Sequence, residues 1–247
     1  MLRTKSFFVS DAHFGALYFT KGHPGPRAFV RFCKEITSEA RTLYLVGDMF
    51  DFWFEFGAVV PKEHFRELCA LRSLVDAGIR VVYVGGNHDF WYGDFMENEV
   101  GIEVHFTPIT ETIDTKRVLI HHGNGLLKRD VSQVVFKGLL RSRLNARLYR
   151  LIHPTLGLYL AKKISSLSRG FVSNPKNTEE VKAKYRAAAK VLFEKENLDA
   201  IVVAHTHYAD LADFNGKTYV NTGNWLRDYD YTILENGQFT MHRFTIE

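Results

Sequence analysis

The sequence predicts an α/β fold: a sandwich of two mixed sheets flanked by helices. Strand and helix alternate through the first half and further strands follow near the end, a pattern that favours mixed sheets covered by helices. A length of 247 residues and a hydrophobic share of 46% suit one large domain with a sizeable core, or one domain carrying an elaborate insertion. Five β-type apolar runs, SFFVS, TLYLVG, RVVYVGG, RVLIHHG and AIVVAHTH, each end in or lead into a short polar signal.

In chain order, these runs predict strands near 6–10, 42–46, 80–84 and 117–121, with helices near 26–40 and 61–77. A strand near 200–204 carries a final histidine pair, and short β segments follow near 217–221, 230–234 and 238–245, joined by turns such as Asn236-Gly237. Between them, the stretch 126–180 reads as helices. Leu140, Leu144, Leu148 and Leu151 follow one helical face, and Arg143, Arg147 and Arg150 another. A second apolar segment, Leu156 to Ile164, comes after His153-Pro154. The expectation is a single domain over 1–247, with 126–180 inserted as a helical cap over the site. Cys33 and Cys69 fall in segments expected to be helical and read as buried packing residues without a disulfide.

The five polar signals are Asp11-Ala-His13, Gly47-Asp48-Met-Phe-Asp51, Gly86-Asn87-His88-Asp89, His122-Gly123 and His205-Thr-His207. Each offers the oxygen or imidazole donors that divalent metals take. A parallel strand delivers its last side chains to the sheet edge, where ligands bind, so five strand ends can gather distant donors into one cluster. Asp48 is the candidate to bridge two ions. Asp11 and His13, two apart on a segment expected to be extended, emerge on one side and can share an ion. His205 and His207 repeat that spacing, though a bend could divide them between two ions. Asn87 and His122 complete the donor set. His121 precedes His122 on a strand, so the two point oppositely and the His-Gly context selects His122. Asp51 and Asp89 read as turn-formers and acceptors that orient the ligands.

Taken in this order, the signals resemble those of the calcineurin-like metallophosphoesterase superfamily. The resemblance implies a four-layer α/β/β/α sandwich with a helical cap insertion, and a metal-dependent hydrolase. It places Asp11, His13, Asp48 and His207 on one divalent ion, and Asp48, Asn87, His122 and His205 on the other. Manganese is the expected metal; iron, zinc and magnesium are the alternatives. His88 resembles the superfamily histidine that contacts phosphate and protonates a leaving oxygen. Among superfamily members, GDMFDFW, GNHDFW, HGNG and LIHPTLGLYLAKKISSLSR most resemble those that cleave the pyrophosphate of UDP-2,3-diacylglucosamine in lipid A biosynthesis. Substrate contacts are then expected from Asn87, His88, His205, Asp130, Ser168, Arg169, Asn174 and Lys176. The chain departs from the pattern at Asn124, Ala204 and Tyr208, and at His88, where several members carry arginine; none of these removes a metal ligand.

Charge distribution agrees with an anionic, lipid-bearing substrate. Between Leu126 and Lys176 eleven Lys or Arg face one acid, Asp130, so this stretch carries +10 and the remaining chain −6 within a total of +4. A basic amphipathic cap suits an anionic membrane surface as well as a nucleotide-sugar lipid. Leucine spacing without a stacking pattern of aromatics argues against nucleic acid. Phe52, Trp53, Phe90 and Trp91 are either core or the walls of an apolar entrance. No run approaches the roughly 18–20 apolar residues of a membrane span, and no signal peptide is visible, so a cytoplasmic protein at the inner membrane face is expected. A soluble nucleotide or phosphoester is the competing substrate class, and a non-catalytic scaffold would be expected to have lost ligands.

Overall fold

Strands that are apolar on both faces need a layer on each side, and the computed structural model supplies one. It describes residues 3–16, 22–89, 93–127, 143–172 and 178–246. Through the first half run β1 (Lys5–Val9), α1 (Gly25–Ile36), β2 (Ala40–Leu45), α2 (Phe65–Asp76), β3 (Arg80–Val84), β4 (Glu103–His105), β5 (Ile109–Ile113) and β6 (Lys116–Ile120). There follow α3 (Arg143–Tyr149), α4 (Pro154–Val172), α5 (Thr178–Lys195), β7 (Ala200–Val203), β8 (Asp210–Phe214), β9 (Lys217–Asn221), β10 (Asp230–Glu235) and β11 (Gln238–Arg243).

One sheet has the order β11-β10-β1-β2-β3-β4 and the other β5-β6-β7-β9-β8. Strands β1 to β4 run parallel, as do β6, β7 and β9. The carboxyl ends of β1, β2 and β3 therefore share one rim, and those of β6, β7 and β9 share another. Alternation along β1 shows how the layers form. Phe7 and Val9 join Phe29, Phe32, Leu68 and Leu71 of the α1–α2 layer. Phe8 lies between, with Tyr44 and Val82, against Val118, Ile120, Val202 and Val220 of the second sheet. That sheet's outer face, Ile201, Val203 and Tyr219, is covered by Tyr185, Ala189 and Phe193 of α5, three residues spaced by four on one helical face. The result is the expected α/β/β/α sandwich.

Several expectations are refined. The first helix stops at Ile36, and Ala40 already begins β2. Strands β4, β5 and β8 add to those expected; β8, DLADF, buries only Asp210 and was too polar to stand out. Helix α5 begins at Thr178, inside the expected cap boundary, yet belongs to the body. Cys69 is exposed whereas Cys33 is buried. The buried face of α2 is Leu68, Leu71 and Leu74, and Cys69 sits a residue off that stripe.

Within the cap stretch, Leu144, Leu148, Leu151, Leu156, Tyr159 and Leu160 are all exposed. The cap meets the body through aromatic contacts. Tyr149 lies edge-on to Phe54 at 4.7 Å and beside Phe56 at 5.6 Å, and its hydroxyl donates to the Gly157 carbonyl at 2.5 Å. Lys162 reaches Glu63 at 2.6 Å. Among the described residues no helix is long and apolar enough to cross a membrane.

Candidate metal centre

All seven predicted donors lie just beyond strand ends, and five of them, Asp11, His13, Asp48, His205 and His207, have positive φ, between 46° and 71°. Asp11 and His13 are thus not on an extended segment as expected; each occupies the left-handed region. Such a conformation costs roughly 1–3 kcal/mol per non-glycine residue and persists only where surroundings impose it. Here the neighbouring loops do. The His13 amide donates to Asp48 O at 3.0 Å and the Asp11 amide to Gly47 O at 3.1 Å, so the first two signals lock together. Gly47, at φ +81°, and Gly86 allow the close approach: a Cβ on Gly47 would lie 2.7 Å from His122 Cγ and 2.8 Å from Gly86 Cα, and one on Gly86 would collide with Asp48 Oδ1.

The donors form two groups, Asp11–His13–His207 and Asp48–His122–His205, each with its ligand atoms within 4.8 Å of one another. In the first, His207 Nε2 lies 3.2 Å from Asp11 Oδ1 and 3.4 Å from His13 Nε2. In the second, His122 Nε2 lies 3.2 Å from both Asp48 Oδ2 and Asn87 Oδ1. His122 Nδ1 bonds the Val46 carbonyl at 2.8 Å. A carbonyl only accepts, so Nδ1 carries a hydrogen and Nε2 is the nitrogen turned to Asp48 and Asn87, the orientation typical of metal-binding imidazoles. The Asp48 and Gly86 amides both donate to Asp89 Oδ2, at 2.7 and 2.8 Å. His121 joins none of these groups, and its Nδ1 accepts the Gly123 amide at 2.6 Å.

A third group joins His13, Asp51 and His88. Asp51 Oδ1 is 3.8 Å from His13 Nδ1 and 3.9 Å from His88 Nδ1, while its carbonyl accepts from His88 Nδ1 at 2.9 Å. The amide of His88 donates to Asp48 Oδ1 at 2.8 Å. Trp53 is core and fully buried, whereas Phe52 stands beside Tyr149 of the cap at 5.9 Å. Phe90 and Trp91 lie outside the described residues, as do Asp130, Asn174 and Lys176; of Ser168 and Arg169 only the place on α4 is described.

The electrostatics call for cations. Asp11 and Asp48 are buried together with His13 and His122, while His205 and His207 are half-buried beside them. Burial pushes His13 and His205 down to about 3, so both are neutral and ready to donate. Burial likewise opposes charge on His122, but the adjacent Asp48 carboxylate, with Asp11 and the Val46 carbonyl, outweighs it and raises the group to about 10. Burial would raise Asp11; His207 and then His122 instead hold it at about 2. Asp89 rises to about 6 through burial and the neighbouring Asp48 charge. Asp11 Oδ1 is buried and faces His207 Nε2 at 3.2 Å without a well-formed hydrogen bond. Two buried carboxylates that raise His122 and His207, with His13 and His205 neutral beside them, fit divalent ions that would take the place of those protons.

Sequence reading missed the polar loop after β9. Thr222 and Asn224 are buried there, as are Asn221 at the end of β9 and Ser10 just after β1. Ser10 Oγ donates to Asp11 Oδ2 and meets Thr222 Oγ1, both at 2.7 Å, and Asn221 Nδ2 donates to Ala204 O at 3.0 Å. The signal was available: Asn221-Thr-Gly-Asn224 follows an apolar strand just as the other five do.

A four-layer sandwich with this cradle at the facing carboxyl rims defines a metal-dependent hydrolase. The chain belongs to the calcineurin-like phosphoesterase family, whose profile matches residues 4–209. It is 30% identical to the UDP-2,3-diacylglucosamine hydrolase of Porphyromonas gingivalis over 94% of both chains. It is 29% identical to the protein of the same name from Proteus mirabilis over 87% of both. Among solved structures it is similar to an archaeal phosphodiesterase at 12% identity, with a TM-score of 0.48, covering 97% of this chain and 99% of that one.

Proposed function

We propose that this chain hydrolyses the pyrophosphate of UDP-2,3-diacylglucosamine to UMP and 2,3-diacylglucosamine 1-phosphate. The observation that carries this reading is the similarity to the Porphyromonas hydrolase over 94% of both chains. At that coverage the match must include most of the cap as well as the cradle. The exposed leucines of a strongly basic cap support the same substrate, which presents two acyl chains and a pyrophosphate together.

Asp11, His13, Asp48 and His207 would hold one ion, and Asp48, Asn87, His122 and His205 the other, with manganese the metal we propose. When bound, such ions act as Lewis acids on phosphoryl oxygens and lower the pKa of water. The protein's own groups do the rest. His88 keeps Nδ1–H on the Asp51 carbonyl, and in its doubly protonated form Nε2–H would face phosphate and pass its proton to the leaving oxygen. Asn87, His88 and His205 would contact the phosphates, and Asp130, Ser168, Arg169, Asn174 and Lys176 the sugar and nucleotide from the cap side. Water adds to the α-phosphorus; the bond from that phosphorus to the bridging oxygen breaks, and the oxygen leaves on the lipid phosphate. The leucines and basic residues of the cap would rest on an anionic membrane surface at the cytoplasmic face.

The test is hydrolysis of UDP-2,3-diacylglucosamine with Mn²⁺ in ¹⁸O-water. UMP carrying one ¹⁸O is the expected product. Label in the lipid phosphate would contradict attack at the α-phosphorus, and turnover of soluble phosphodiesters alone would contradict the substrate.

A further inference from the structure

We infer that Asn224 is a positioning residue for the ion held by Asp11, His13 and His207, an inference that rests on the ion-binding reading above. Asn224 is 1% exposed and its carboxamide is used on both sides. Nδ2 donates to the His207 carbonyl at 3.0 Å and to Asp228 Oδ2 at 2.7 Å, while Oδ1 accepts the Arg227 amide at 2.9 Å. The next two residues fasten the opposite turn: the Trp225 amide donates to Ser10 O at 3.0 Å and the Leu226 amide to Asp11 O at 3.1 Å. One short loop thus grips the carbonyls of Asp11 and His207, which both have left-handed backbones, at φ 50° and 62°.

The carbonyl of a left-handed residue has left the strand ladder and needs another donor. Asn224 supplies it at His207 and fixes where that imidazole stands relative to Asp11. The other donor group is held by different means: His122 by the Val46 carbonyl, and Asp48 through Asp89 and the His88 amide. Loss of the Asn224 carboxamide should therefore loosen one half of the cradle and leave the other as it was. General destabilisation would not discriminate in this way.

The experiment titrates Mn²⁺ into the chelator-stripped full-length chain, followed by calorimetry and by electron paramagnetic resonance. The wild-type chain is expected to show two binding steps. In Asn224→Ala one step should weaken about 10–100-fold, the usual cost of removing a partner that orients a metal ligand, with the other unchanged. Two ions bound by the wild type and both steps unaltered in Asn224→Ala, or both weakened equally, would overturn this inference alone. A wild-type chain that takes up no Mn²⁺ would overturn the ion-binding reading and this inference with it. Should Asn224→Ala lose its cooperative thermal transition, Asn224→Ser, which keeps a hydroxyl at the position, is judged by the same outcomes.

Discussion

The cradle and the cap are built in opposite ways. In the cradle, Asp11, His13, Asp48 and His122 are almost wholly buried, and backbone donors and carbonyls from three or more loops fix them. In the cap, Leu144, Leu148 and Leu151 stand exposed, and Tyr149 and Lys162 provide attachments to the body. The first region concentrates strain and charge where a phosphoryl group would react; the second offers apolar and basic surface for the rest of a large substrate. On the proposed reading, chemistry and choice of substrate would be separable. Substitutions in the cradle should act on every phosphoester alike, and those of the exposed cap leucines on lipid substrates alone.

The largest expected effect comes from Asp48→Ala. Both ions should be lost, with turnover falling about a thousandfold or more, about 4 kcal/mol of barrier. Elemental analysis beside steady-state kinetics checks this, and retained metal would remove Asp48 from the bridging role. Gly86→Ala should behave similarly though no ligand changes, because its Cβ would enter the space of Asp48 Oδ1; unchanged metal content would show that the loops can shift. His88→Ala should keep both ions and lower kcat by about 100-fold or more. Kinetics like wild type would reduce His88 to an orienting group. Replacing Leu144, Leu148 and Leu151 by Ser should lower kcat/KM for the diacyl substrate while sparing a soluble aryl phosphodiester; equal losses on both would erase the division between the regions. For turnover of a soluble substrate the smallest change is expected from Arg143, Arg147 and Arg150→Ser, which should instead weaken binding to phosphatidylserine-containing vesicles by about 1 kcal/mol per charge, measured by sedimentation.

How much could be read beforehand follows the same division. The cradle was legible because each donor sits next to an apolar strand in the sequence, as Asp48 follows TLYLVG and Asn87 follows RVVYVGG. Its left-handed backbone was not, since Asp11 and His13 owe that conformation to hydrogen bonds from segments far along the chain. Asn224 escaped notice because it works through the His207 carbonyl, not as a donor to an ion. The edge strand β8 was hidden by its polar residues, and Cys69 by lying beside, not on, the apolar stripe of α2. In the cap, helical spacing was readable, but which leucines stay exposed depends on what the helices leave uncovered.

The dinuclear cradle is tested most directly by anomalous diffraction from crystals grown with Mn²⁺, scanned at the manganese edge. Two peaks are predicted, about 3.5–4 Å apart, one beside Asp11, His13 and His207 and one beside Asn87, His122 and His205, with Asp48 between them. A single peak, or none within this cluster, would contradict the account.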